Sequence, residues 1–100
     1  MKADYDSQAD ALSIDLVEVD RWQGSVIIDD DYCFVALANG LPANIEVLYP
    51  RENLAVLKKA ADHFGLDHEA IEVAAKAALA APDRLVEIDL SARRQPVPLA

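Results

Sequence analysis

A chain of 100 residues with 53% hydrophobic content and a net charge of −9 can bury a core as one globular domain and is too apolar to be a disordered tail. Its charge is uneven: residues 1–50 carry ten acids and two bases, residues 51–100 eight acids and seven bases, so the first half repels phosphate backbones and nucleic-acid binding is not expected. The single Cys33 permits no internal disulfide, the first ten residues lack the apolar stretch of a secretory signal, and no apolar run approaches the roughly 20 residues of a membrane span, so a cytoplasmic protein is expected.

Lys2–Asp6 reads as a short strand and Ala11–Val17 as a stronger one. In the latter Leu12, Ile14 and Leu16 alternate with Ser13 and Asp15, the period of a half-buried strand. A polar connection carrying Trp22 follows, then Ser25–Asp29, β-branched and ended by a run of acids. Cys33–Ala38 is apolar on both faces, the pattern of a strand covered from two sides. Asn39-Gly40 is a two-residue hairpin signal because both residues tolerate positive φ, and Ala43–Leu48 is the returning strand.

The period then changes. Leu54, Leu57, Ala61 and Phe64 recur at helical spacing, and Gly65 stands where a C-terminal cap belongs. Asp67 is placed to cap a second, alanine-rich helix that ends at Pro82. Residues 84–90 alternate again as a last strand, and 91–100, with two prolines and little to bury, reads as a flexible tail. The expected fold is α+β: within one domain over 1–90, an antiparallel meander of about five short strands (2–48), two helices (51–81) and a final strand.

The stretch "YDSQADALSIDL", residues 5–16, sets three acids around a turn and a strand. An Asp followed by Ser favours a side-chain-to-backbone turn, Asp10 is placed to accept amide hydrogens where the chain re-enters the sheet, and Tyr5 offers an apolar ring with a polar tip. The rival chemistry makes Asp6, Asp10 and Glu46, with Tyr5, ligands of a hard cation or an acid/base set; Glu46 enters because its neighbours Ile45 and Val47 should face away from it. The turn is the preferred reading.

Tyr5-Asp6, Ala9-Asp10-Ala11-Leu12, Ile14, Asn39-Gly40 and Ile45-Glu46-Val47-Leu48 together resemble, in order and spacing, the prokaryotic family catalogued as domain of unknown function 2283. The resemblance covers about residues 2–48 and departs from the family outline at Ser7, Asn39 and Asn44. It implies a small antiparallel sheet followed by helix, with Tyr5, Asp6, Asp10, Leu12, Gly40 and Glu46 as motif positions, and no established activity.

Other candidates are weaker. Asp29-Asp30-Asp31 are consecutive, whereas calcium loops space their acids by two. His63 and His68 straddle Gly65 and share no helical face, Cys33 lies in an apolar strand as an inert thiol, and no glycine-rich phosphate loop occurs. A helix-turn-helix outline over residues 61–79 lacks the basic or amide side chains that read bases. Neither metal nor cofactor is expected. Two functions remain: a non-enzymatic, self-associating interaction module, homodimeric with Arg84–Leu90 taking part and with a basic protein as a further partner, or a small enzyme or cation-binding protein using Asp6, Asp10 and Glu46.

Overall fold

In a computed structural model of the chain, residues 1–17, 23–29 and 32–88 are described. Trp22, the acids Asp30 and Asp31, the end of the expected last strand at Leu90 and the tail 91–100 lie outside them. The elements run β1 (Lys2–Asp6), β2 (Ala11–Asp15), β3 (Gly24–Asp29), β4 (Cys33–Ala38), β5 (Leu41–Leu48), α1 (Pro50–Asn53), α2 (Val56–Phe64), α3 (His68–Ala80) and β6 (Leu85–Glu87). The strands form a single antiparallel sheet in the order β3-β4-β5-β2-β1-β6. The expected α+β meander, helices and final strand are all present.

Alternation decides which side of the sheet becomes core. Leu12 and Ile14 of β2, Val35 of β4, and Ile45 and Val47 of β5 are fully buried on one face, beneath the helices. Burying side chains of this kind stabilises by about 1.5–3 kcal/mol each. Over them, α3 packs on β1, β2 and β6, while α2 packs on β3, β4 and β5. The buried stripe of α3 is mostly alanine (Ala70, Ala74, Ala75 and Ala78 around Ile71), which lets the helix approach β1, whose own inward residue there is Ala3. The caps expected from sequence operate: Gly65 takes φ 68° and donates its N–H to the Ala61 carbonyl, and the Asp67 side chain accepts from the Ala70 N–H at 3.2 Å.

Several boundaries differ from the sequence expectation. β2 stops at Asp15 because the Leu16 and Val17 amides both turn to the Ala43 carbonyl, at 2.8 and 3.4 Å. β5 begins at Leu41, two residues early, because the Asn39-Gly40 turn (φ 53° and 75°) carries pairing straight from Ala38 to Leu41. A register shift at Ala36/Leu37 falls where β4 meets Pro42, which has no N–H for the ladder. The first expected helix divides into α1 and α2. Pro50 opens α1 behind Tyr49 in the left-handed region, and the Asn53 amide donates to the Leu48 and Tyr49 carbonyls, at 3.2 and 3.0 Å.

The last strand finds its edge within its own chain. Leu85–Glu87 pairs with Lys2–Asp4, and the Ile88 N–H donates to the Met1 carbonyl at 2.8 Å. Among the described residues both helical layers lie on one face of the sheet, so the opposite face of "CFVALA", bearing Phe34 and Ala36 half-buried, is not covered by a second layer. No helix among the described residues is long and apolar enough to cross a membrane.

Candidate functional site

The opening turn is built by its own acids. The Asp6 carboxylate accepts the amides of Gln8 (3.0 Å) and Ala9 (3.1 Å), closing the chain on itself directly after β1. Asp10 takes φ 53°, a conformation that Asp adopts more readily than most residues, and redirects the chain into β2. Its Oδ1 accepts the Tyr5 hydroxyl at 2.6 Å, and its carbonyl accepts the Tyr49 amide at 2.8 Å. That bond to the Asp10 carboxylate holds the Tyr5 phenol above its ordinary range, against the opposing pull of Arg51.

Two residues that sequence reasoning did not connect with this turn clamp it. The Arg51 guanidinium lies 5.1 Å from the centre of the Tyr5 ring and donates to the Leu79 carbonyl at 3.0 Å, tying α1 to β1 and to the last turn of α3. Asp83, at φ 62°, accepts the Ser7 amide (2.8 Å) and hydroxyl (2.6 Å), and its own N–H donates to the Tyr5 carbonyl at 2.8 Å. The Ser7 bonds hold the Asp83 carboxyl below its ordinary range. The segment between α3 and β6 is thereby buckled onto the first hairpin. No local pattern announces a contact between residues 7 and 83.

Asp6, Asp10 and Glu46 are not brought together. Asp10 reaches Tyr5 on the helix-covered side, whereas Asp6 and Glu46 belong to the opposite face. There Asp6 and Glu46 stand two strands and two residues apart, about 12 Å along the backbone grid. Ile45 and Val47 are buried and Glu46 exposed, the alternation read from sequence. Leu12 is a core residue and Gly40 half of the β4–β5 turn. Gln23 braces that turn, its side-chain carbonyl accepting the Asn39 amide and its own N–H donating to the Leu37 carbonyl at 2.9 Å.

The uncovered face carries an arrangement of its own. Phe34, Glu46, Ser13, Asp4 and Leu85 are successive partners across the strands, and Ala36, Asn44, Asp15, Lys2 and Glu87 form the next row. At its centre the Asn44 amide donates to Ser13 Oγ (2.8 Å) and Asp15 Oδ1 (2.7 Å). Burial, then the charges of Asp15 and Asp6, push the Asp4 carboxyl above its ordinary range. Alternation alone placed Asp15 opposite the core side; the strand order that sets it beside Asp4 and Glu46 was not legible.

The remaining candidates sit apart. Cys33 is buried in β4, His63 packs edge-on against Phe64, and His68 approaches Glu72 at 3.3 Å, with Lys76 on the same carboxylate at 2.8 Å. Among the described residues no group of three or more His, Cys, Asp or Glu side chains is arranged to hold a metal ion. No family model, curated protein or solved structure matches the chain.

Proposed function

We propose that this protein is a non-enzymatic interaction module whose docking surface is the uncovered face of the six-stranded sheet. The observation that carries the proposal is the one-sided cover among the described residues: α2 and α3 bury one face, while the other keeps Phe34 and Ala36 half-buried, with Ile27 exposed beside them. An antiparallel sheet tolerates a wet face, but apolar side chains grouped beside acids are also what a partner surface offers. The alternative, catalysis or cation binding by Asp6, Asp10 and Glu46, has less support because these acids are divided between the two faces. The likeness of residues 2–48 to domain of unknown function 2283 belongs to the same proposal. What supports it is that Tyr5, Asp6 and Asp10 share one turn and that Asn39-Gly40 forms one hairpin.

Self-association is the homodimeric form of this proposal. It is tested with a photoreactive amino acid placed at Ile27, which is 61% exposed, or at Val73 of α3, which is 39% exposed on the helical side. In the native host, crosslinked products are expected from position 27 and not from position 73, and a product at twice the chain mass marks the homodimer. Equal yields from both positions would overturn the choice of surface.

A further inference from the structure

We infer that the uncovered sheet face takes a basic polypeptide segment, with Lys or Arg set between apolar side chains, rather than a second copy of this chain. The inference rests on the docking surface proposed above and names its partner.

The face combines two chemistries in a fixed order. Among the described strand residues, Asp4, Asp6, Asp15, Glu46 and Glu87 belong to it by register, with Lys2 as the base on the same strands. Burial raises the Asp4 carboxyl first, and the repulsion of Asp15 and Asp6 adds to it. Apolar side chains flank the acids at opposite edges: Ile27 on β3 is 61% exposed and Leu85 on β6 is 64% exposed. Five strand spacings separate those edges, about 24 Å, the length of a helix of about 16 residues. At the Leu85 end the surface is indented by a cleft of about 350 Å³ lined by Asp4, Tyr5, Asp6, Asp83, Arg84 and Leu85. Asp83 is engaged by Ser7, and the Asp6 carboxylate accepts the Gln8 and Ala9 amides of the turn. The cleft therefore offers acidic walls, one arginine and an apolar lip to a long cationic side chain.

Charge decides between occupants. A second copy laid face to face brings one acid-rich centre against another, and like charges juxtaposed at an interface oppose association. A basic segment meets complementary potential at the centre and apolar contact at the ends, and it is also steered to the surface from a distance. The helical layer lacks this imbalance, since Arg51, Lys58, Lys59 and Lys76 are interspersed there with acids, including the pairs Lys58–Asp62 and Lys76–Glu72.

The test uses the full chain and a fluorescein-labelled amphipathic peptide of about 16 residues carrying lysine on its polar face, read by anisotropy. A glutamate version of the peptide is the control. Neutralising the face (Asp4→Asn, Asp15→Asn, Glu46→Gln) is expected to weaken binding by roughly tenfold, whereas neutralising three helix-side acids (Glu52→Gln, Asp62→Asn, Glu69→Gln) changes it by less than about twofold. Raising salt from about 50 to about 300 mM is expected to weaken the wild-type complex in parallel. Melting curves confirm that both triple variants fold. Equal losses in the two variants, or no binding of the lysine peptide, would overturn the inference. Light scattering separates the two levels: if the lysine peptide fails to bind while the chain dimerises and the face variant alters the dimer, the partner is a second copy and the docking surface stands. If neither occurs, both proposals fall.

Discussion

Replacing Asp10 with alanine removes two things at once. The Tyr5 hydroxyl loses the carboxylate it donates to at 2.6 Å, and alanine must hold φ 53°, a conformation that carries a steric cost for a residue with a β-carbon. The lost hydrogen bond is worth about 1 kcal/mol, the central value for an ordinary pair, since Asp10 is only half-buried. The left-handed backbone adds about 1 kcal/mol. The sum, about 2 kcal/mol, lowers the melting temperature of a domain this size by about 8–16 °C. Two further variants separate the parts. Asp10→Asn keeps an oxygen acceptor and tolerates the backbone, so it loses least; Asp10→Gly frees the backbone but loses the acceptor, so it falls between. Thermal unfolding followed by circular dichroism should rank stability Asn above Gly above Ala. Alanine as stable as asparagine would refute the structural role given to this residue.

Other expectations follow from the same contacts. Asp83 has its carboxyl lowered by Ser7, so its ionised form contributes stability above the ordinary carboxylate range that is lost as pH falls through the folded-state value. Ser7→Ala should therefore flatten the acid limb of a plot of urea midpoint against pH. Asp4 has the opposite sign: its raised carboxyl makes the ionised form unfavourable in the fold, so Asp4→Asn should stabilise above the carboxylate range and not below it in the same plot. Glu46→Gln, on the exposed side of β5, should shift stability by no more than about 0.5 kcal/mol, whereas Leu57→Ala, fully buried on the inner face of α2, should cost about 3 kcal/mol by denaturant unfolding. Gly65→Ala meets no atom within 4 Å of the added carbon, so its cost should be the φ 68° strain alone, about 1 kcal/mol.

Local chemistry was the legible part of this fold. Leu12 and Ile14 against Ser13 and Asp15 placed β2 and its two faces, Asn39-Gly40 placed a hairpin, and Gly65 and Asp67 placed the junction between α2 and α3, because each signal acts within a few residues. The strand order was not legible. Nothing local sends β5, already paired to β4 through its hairpin, to lie against β2 as well, or β6 to lie against β1, since those choices depend on which strand edges are still free. For the same reason the Asp83–Ser7 clasp and the Arg51–Tyr5 contact had no sequence signal. The three acids first grouped as a site share one turn and one strand in sequence. The positive φ of Asp10 turns its carboxylate toward Tyr5 while Asp6 stays with the open face, a separation that spacing alone does not reveal.

The division of Asp6, Asp10 and Glu46 between scaffold and surface is tested most directly by calorimetric titration of the full chain with Ca²⁺ and Mn²⁺, on wild type and on Asp10→Asn. No saturable binding is expected below about 1 mM cation in either protein, because the three carboxylates share no centre. Micromolar binding in the wild type that Asp10→Asn abolishes, with the melting temperature unchanged, would contradict this and make the opening turn a site.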